Sequence, residues 1–267
     1  MSESSRRRSD EFLLASGQFR LGGLVTEASH PVTANLSAVA GTDIAAALRL
    51  LFEADRDVLV TFRQFVQSGR VEAIAASLVE TLKAGGRIFF TGCGSTGRLS
   101  ILLDSIWRDF CKRRNSAWET RTLSVMAGGD FALIKSVEGF EDFTEFGQKQ
   151  LRDLQVSAQD AVLAITEGGE TPFVIGTAWA GVAAGAKVWF VYNNPDDLLC
   201  AQVERSREVI QDGRIEKINL TTGPMAISGS TRMQATSVQL CVLLAILEAV
   251  ARELFGGQAA GVAARLL

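Results

Sequence analysis

Apolar side chains recur at helical spacing in one early stretch, Ile44, Leu48, Leu51, Phe52, Leu59 and Phe62. That spacing predicts a helix over 42–67, with Thr42 or Asp43 as its cap. A second helix is expected from about 71 to 84, stopped by Gly85-Gly86. Beyond it the pattern changes. Short apolar runs at 87–91, 161–165 and 187–192 have the character of strands buried on both faces, and 120–126 and 214–220 are two further candidates. Helical stretches alternate with them. One runs through Leu99, Leu102, Leu103, Ile106 and Phe110, one is opened by Thr171-Pro172 with proline in its first turn, and one extends from Ser230 to about Phe255. Strands alternating with helices predict an α/β fold, a mostly parallel sheet covered on both faces. We expect one such domain behind a helical N-terminal arm.

Composition narrows the function. With 27 basic and 30 acidic residues the net charge is −3, which offers no basic field for nucleic acid and no polybasic pull toward a membrane. The 267 residues are 47% hydrophobic and 21% charged, enough for a sizeable core, which excludes disorder as the main state. The polar, basic start MSESSRRRSDEF is expected to be disordered, and it reads as neither a signal peptide nor an anchor. Cys93, Cys111, Cys200 and Cys241 lack metal-ligand spacing, so we expect reduced thiols, no metal and a cytoplasmic location. The single histidine, His30, argues against a Ser-His-Asp triad or a histidine zinc site. Trp107, Trp118, Trp179 and Trp189 read as core packing.

The candidate chemistry lies in three loops that leave strand ends and enter helices: Gly92–Arg98, Thr166–Thr171 and Thr222–Thr231. In an open parallel sheet, ligands bind outside the carboxyl ends of the strands. Glycines let backbone N–H groups approach an anion, hydroxyls add donors, and a helix N-terminus adds a positive dipole end. Three such loops at one edge point to an oxyanion, a phosphate above all. Gly92-x-Gly94-x-x-Gly97 matches the dinucleotide fingerprint in form. The next strand nevertheless ends in Ala127-Gly128-Gly129, without the acid that would hold a ribose, and no Gly-Lys-Ser/Thr follows for a P-loop. No cofactor is expected. The stretch Glu138-Gly139-Phe140-Glu141-Asp142 is either a solvated turn or a source of general acid/base near the loops. Glu167 and Glu170 would repel a phosphate, so they either face solvent or mark a loop that binds sugar hydroxyls.

The loops also carry a resemblance. Leu24-Val25-Thr26-Glu27, Gly92-Cys93-Gly94-Ser95-Thr96-Gly97-Arg98-Leu99, Ala127-Gly128-Gly129-Asp130, Val137-Glu138-Gly139-Phe140-Glu141-Asp142, Thr171-Pro172-Phe173-Val174-Ile175-Gly176, and Gly223-Pro224 leading into Ser228-Gly229-Ser230-Thr231-Arg232-Met233 stand in series over roughly 22–250. They resemble the sugar isomerase (SIS) domain family, most nearly the N-acetylmuramic acid 6-phosphate etherases and the glucokinase regulatory protein. The resemblance implies a three-layer sandwich with a five-stranded parallel, flavodoxin-like sheet. It divides the chain into a start at 1–20, an arm with helices at 21–85, a phosphosugar-binding core at 86–256 and a tail at 257–267. The phosphosugar would be held by Gly94, Ser95, Thr96, Gly97, Arg98, Glu138, Thr166, Gly168, Gly169, Thr171, Ser228, Ser230, Thr231 and Arg232. A homodimer is implied, since in etherases the site lies near a subunit interface.

The etherase reaction eliminates D-lactate and adds water, using two glutamates and no metal. One of them falls on Glu141, the candidate catalytic or sugar-contacting residue; the other aligns with Ile106, which carries no proton. Asp104 is about 200° around the helix from that face. The family's Ser-Gly-Arg-Thr loop reads Gly168-Gly169-Glu170-Thr171 here, Met225 replaces a glutamate, and Gln234 replaces a lysine. The glucokinase regulatory protein likewise lacks the first glutamate and the second-loop serine. The expectation is a phosphosugar-binding sensor or regulator, with a protein partner if it regulates. The alternatives are an etherase-type lyase of cell-wall sugar recycling and an aldose–ketose phosphosugar isomerase using Glu141, with His30 brought in from the arm.

Overall fold

The apolar runs do form strands, and their lack of alternation has a simple cause: each is covered by helices on both faces. The computed structural model describes residues 3–16, 21–135 and 139–256. An N-terminal group of helices comprises α1 (Glu3–Ala15), α2 (Leu36–Ala40), α3 (Ile44–Ala54), α4 (Arg56–Gln67) and α5 (Arg70–Lys83). The sheet region follows as β1 (Ile88–Gly92), α6 (Gly94–Lys112), β2 (Thr122–Met126), α7 (Phe131–Ile134), α8 (Thr144–Asp153), β3 (Ala161–Ile165) and α9 (Pro172–Ala183). It continues through β4 (Lys187–Tyr192), α10 (Asp196–Gln202), α11 (Glu204–Gln211), β5 (Ile215–Asn219) and α12 (Gln234–Leu254). All five strands are parallel, in the order β2-β1-β3-β4-β5.

Alternate strand residues feed two cores. Ile88, Phe90, Leu163, Ile165, Trp189 and Val191 pack with Phe62, Leu78, Leu103, Trp107, Val242 and Ile246 from α4, α5, α6 and α12. Phe89, Val162, Ala164, Val188 and Phe190 face the other way, onto Leu151, Phe173, Val174, Leu199 and Val209. Trp118 and Trp179 are partly buried at the margins of these cores. By length and composition α12 is apolar enough to cross a membrane, yet most of its apolar stretch is buried, and it packs against α4, α5 and α6.

Three expectations change. The start is not disordered over its described part, because Glu3–Ala15 is helical. Its polar residues pair four apart: Arg7 Nε donates to Glu11 Oε1 at 2.8 Å and Arg8 to Ser4 Oγ at 3.1 Å, contacts that support an exposed helix. The helix expected over 42–67 is two, meeting at Asp55. Asp43 caps the first, accepting from the Ala46 N–H at 2.9 Å. Its periodic face is not core either: Ile44, Leu48, Phe52 and Leu59 are exposed, while α4 turns Val58, Phe62, Phe65 and Val66 inward. Lastly, the helix expected from Ser230 begins at Gln234, leaving Ser230–Arg232 in the loop before it. The tail at 257–267 lies outside the described residues.

Strand order reverses between β1 and β3. At such a point the connections leave in opposite directions and open a crevice at the carboxyl edge. The first two loops flank it.

Candidate ligand-binding cleft

The first loop is built by its own cap. The Cys93 N–H donates to Thr96 Oγ1 at 3.0 Å, and the Thr96 hydroxyl donates to the Cys93 carbonyl at 2.9 Å. That turn lets α6 start directly on the strand end. Gly97 permits the close approach, since a Cβ there would meet Met126 Cγ at 2.6 Å. Gly94 and Ser95 are thereby left facing outward, over a helix N-terminus.

The second loop is held from all sides. The Thr166 and Thr171 hydroxyls share a hydrogen bond of 2.9 Å across its base. Asn194 Nδ2 donates to the Gly168 carbonyl at 2.9 Å and Ser206 Oγ to the Gly169 carbonyl at 2.8 Å. Arg205 reaches from α11 to Glu170, donating to its carbonyl and, at 2.7 Å, to Oε2. Glu170 therefore does not project freely into solvent; its side chain is only 20% exposed and ion-paired. Burial nonetheless pushes its carboxyl above the usual range, with Arg205 opposing.

The N-terminal arm straps the remaining parts together. Thr26 Oγ1 accepts from Asn194 Nδ2 at 3.1 Å, and Thr33 Oγ1 donates to the Ala226 carbonyl at 2.6 Å. Ser29 forms a β-bridge with Met225, and its hydroxyl lies 2.8 Å from that of Ser228. His30 caps a short 3-10 turn, Pro31–Thr33: its Nδ1 accepts from the Val32 N–H at 3.1 Å, and Nε2 lies 3.0 Å from Asp57 Oδ2. Accepting at Nδ1 places the ring proton on Nε2, directed at Asp57. Both nitrogens are occupied, and His30 does not line the cleft, so it is a structural cap with no free base to offer an isomerase.

Where loops and arm converge lies a cleft of about 210 Å³. Four carboxylates line it, Glu27, Glu141, Glu167 and Glu170, together with Cys93, Gly94, Ser95, Gly168, Thr171, Gly229, Thr231 and Arg232. Glu141 crosses the mouth and accepts from the Cys93 thiol at 2.9 Å. Burial and the adjoining Glu141 push that thiol far up, so it remains protonated. Glu141 is positioned by its backbone carbonyl, which accepts from the Phe173 N–H at 3.0 Å, and by stacking of Phe140 on Phe146 at 4.8 Å. Glu167 is 9% exposed. Burial drives its carboxyl upward, against the Thr236 and Ser95 hydroxyls and the charge of Arg232. Among the described residues no group of three or more His, Cys, Asp or Glu side chains is arranged to hold a metal ion.

Of the residues expected at the site, Glu141, Gly94, Ser95, Gly168, Thr171, Thr231 and Arg232 line the cleft. The others do different work. Thr96 is spent on the cap and Gly97 on helix–strand packing. Arg98 is exposed and folds back on the Gly94 carbonyl at 3.2 Å. Thr166 and Gly169 are buried in the frame of the second loop. Ser228 bonds the arm, and Ser230 donates its N–H to the Ile227 carbonyl outside the cleft lining. Glu138 lies outside the described residues. Sequence reasoning left Leu21, Leu24, Glu27, Cys93 and Gly229 out of the site and gave Glu167 and Glu170 no settled role in it. Leu24, Glu27, Cys93 and Gly229 stood inside motifs noted for their resemblance, which was the available signal.

A parallel sheet of this order, with hydroxyl-rich loops around its switch point, describes the sugar-isomerase class of α/β domains. The comparisons agree. Residues 70–180 match the family model described as the glucokinase regulatory protein N-terminal SIS domain. The chain is 31% identical over 223 residues to the N-acetylmuramic acid 6-phosphate etherase of Yersinia pestis (strain Pestoides F), covering 84% of this chain and 69% of that one. The etherase of Yersinia pseudotuberculosis serotype O:1b matches equally. In fold it is similar to phosphoheptose isomerase GmhA from Neisseria gonorrhoeae, with a TM-score of 0.50 at 15% identity over 78% of this chain and 96% of that one. The chain belongs to the SIS-domain family, as a relative of the N-acetylmuramic acid 6-phosphate etherases.

Proposed function

We propose that the chain binds a phosphosugar in this cleft and acts as a sensor or regulator, without the two-glutamate elimination. One observation carries this. Glu141 is at the mouth, but the position of its etherase partner is Ile106, 40% exposed and, counted from Gly94, about 18 Å along α6. Asp104 does not replace it. Its carboxylate is committed to Arg108 at 2.9 and 3.0 Å and to the Thr122 hydroxyl, at the amino end of β2 and away from the cleft. Ser95, Thr231 and Arg232 supply donors for a phosphate.

The test is the thermal midpoint with N-acetylmuramic acid 6-phosphate, N-acetylglucosamine 6-phosphate, fructose 6-phosphate, fructose 1-phosphate and glucose 6-phosphate. A ligand at a hundredfold its Kd stabilises by about 2.7 kcal/mol. Ser95→Ala should weaken binding by ~1.5–3 kcal/mol, a charge-assisted hydrogen bond. Glu141→Gln should weaken binding by a similar amount. If wild type releases D-lactate and Glu141→Gln loses that turnover by ~10²–10⁴-fold, the second reading, an etherase-type lyase, replaces the first. That reading is favoured by one feature, a second glutamate in the same cleft as Glu141: Glu167, whose carboxyl burial pushes above its usual range.

We also propose that two copies associate through the exposed apolar face of α3 and α4. Ile44, Leu48, Phe52 and Leu59 are 71, 47, 67 and 60% exposed. A run of this kind marks an interaction surface. Phe52→Glu is expected to shift the sedimenting species from dimer to monomer; a wild type that sediments as a monomer refutes it.

A further inference from the structure

Two charges of one sign now need reconciling. A cleft proposed to take a phosphate dianion has four glutamates in its lining. Three of them have an evident accommodation: Glu170 is paired with Arg205, Glu141 accepts the Cys93 thiol, and Glu27 stands on the arm side beside Gly229. Glu167 is different. It springs from the end of the central strand β3, and the groups that surround its carboxyl are those that would otherwise receive an anion. The Thr236 hydroxyl lies 3.1 Å from Oε1, and Ser95 and the cation Arg232 line the same cleft, where both favour the ionised carboxyl.

We propose that Glu167 determines specificity by occupying the oxyanion subsite itself, so that a sugar phosphate enters only together with a proton taken up by Glu167. This deepens, and rests on, the phosphosugar reading. The hydrogen bonds favour a protonated carboxyl. Thr236 Oγ1 has one proton but two acceptors, Glu167 Oε1 and the Thr231 carbonyl at 3.0 Å. With Glu167 protonated, the acid donates to Thr236 and Thr236 donates to Thr231, and each group is satisfied. Ser95 and Arg232 then meet the phosphate without a competing anion. With Glu167 ionised, its charge competes for both and opposes the incoming dianion. The remaining charged and titratable groups facing it are Cys93 from the start of α6, Glu141 from the mouth, Glu27 from the arm and the Glu170–Arg205 pair. None of the carboxylates among them relieves the repulsion.

The consequence has an unusual sign. A phosphate monoester loses its second proton near pH ~6, so an ordinary phosphate site tightens as pH rises. Here affinity should fall above the pKa of Glu167, by about tenfold per pH unit for one proton taken up.

Calorimetric titration of the full chain with N-acetylglucosamine 6-phosphate, fructose 6-phosphate and inorganic phosphate, at several pH values and in two buffers of different ionisation enthalpy, tests it. Wild type should weaken with rising pH and take up a proton. Glu167→Gln, an isostere of the protonated acid, should bind without proton uptake and at least about tenfold tighter than wild type at the alkaline end. Glu167→Ala serves if the glutamine variant does not fold. A wild type whose affinity holds or rises with pH, or a variant that gains nothing, overturns the inference while leaving phosphosugar binding standing. Binding by Glu167→Gln but by wild type at no pH overturns both, because proton uptake would then not admit the ligand to the native cleft. Failure of both to bind any probe overturns both.

Discussion

Asp160→Ala is expected to destabilise the fold by about 3–5 kcal/mol, read as a lower urea midpoint at neutral pH. Asp160 immediately precedes β3, and Arg87 precedes β1, so the pair ties the amino ends of two neighbouring central strands. The carboxylate side chain is 3% exposed. It accepts the Arg87 backbone N–H at 2.8 Å, the Arg87 guanidinium at 2.9 Å, and the Ser157 N–H and hydroxyl at 2.8 and 3.0 Å. Arg87 also reaches the Leu154 and Gln155 carbonyls, so alanine would strand a largely buried guanidinium and several aimed donors. Burial by itself would raise the Asp160 carboxyl, but the Arg87 and Ser157 bonds outweigh it and hold the group below its usual range. A carboxyl depressed in the folded state adds stability above its unfolded pKa, and that stability is lost as pH falls through the folded value. Wild type should therefore lose stability below about pH 4 more steeply than Asp160→Asn. A variant within about 1 kcal/mol of wild type would remove this pair from the account of the fold.

Gly176→Ala should also be severe, and its effect should reach the cleft. Helices α8 and α9 approach until backbone meets backbone: a Cβ at Gly176 would lie 2.0 Å from the Thr144 carbonyl oxygen, and one at Gly147 would lie 1.9 Å from that of Phe173. Neither atom belongs to a side chain that can swing aside, so the helices must separate. Overpacking of this kind typically costs about 1–3 kcal/mol, and the shift falls on the start of α8. Glu141 lies three residues before Thr144, and its carbonyl is fixed by the Phe173 N–H. Urea unfolding should report the lost stability, and a sugar phosphate should no longer raise the thermal midpoint. Stability lost with full ligand response would show that the α8–α9 contact does not position Glu141.

Much of the architecture was legible because the central strands are buried on both faces. The run 161–165 has no polar residue, 187–192 has its one charge, Lys187, at the exposed first position, and their observed limits, Ala161–Ile165 and Lys187–Tyr192, are those read from the sequence. The three glycine-bearing loops were legible for a related reason, since a close strand-to-helix turn restricts which residues fit. Periodicity did not say what a helix face meets. The face at Ile44, Leu48, Phe52 and Leu59 has the same spacing as a core face and yet is exposed. Nor did it show which hydroxyls are spent internally, as Thr96 and Thr166 are. Glu170 looked incompatible with its loop because its partner, Arg205, stands 35 residues away and is brought in by α11.

The arm has a further implication for how the protein comes to be competent. Ser29 and Ser228, whose hydroxyls meet beside the third loop, are separated by 199 residues, and Thr26 and Asn194 by 168. Contacts so distant along the chain close late, after the loops between them have been paid for in entropy. The sheet can therefore acquire its strands before its binding edge exists. Ligand affinity recovered during refolding should lag behind backbone order, and a chain able to hold its ligand is one whose two distant segments have already found each other.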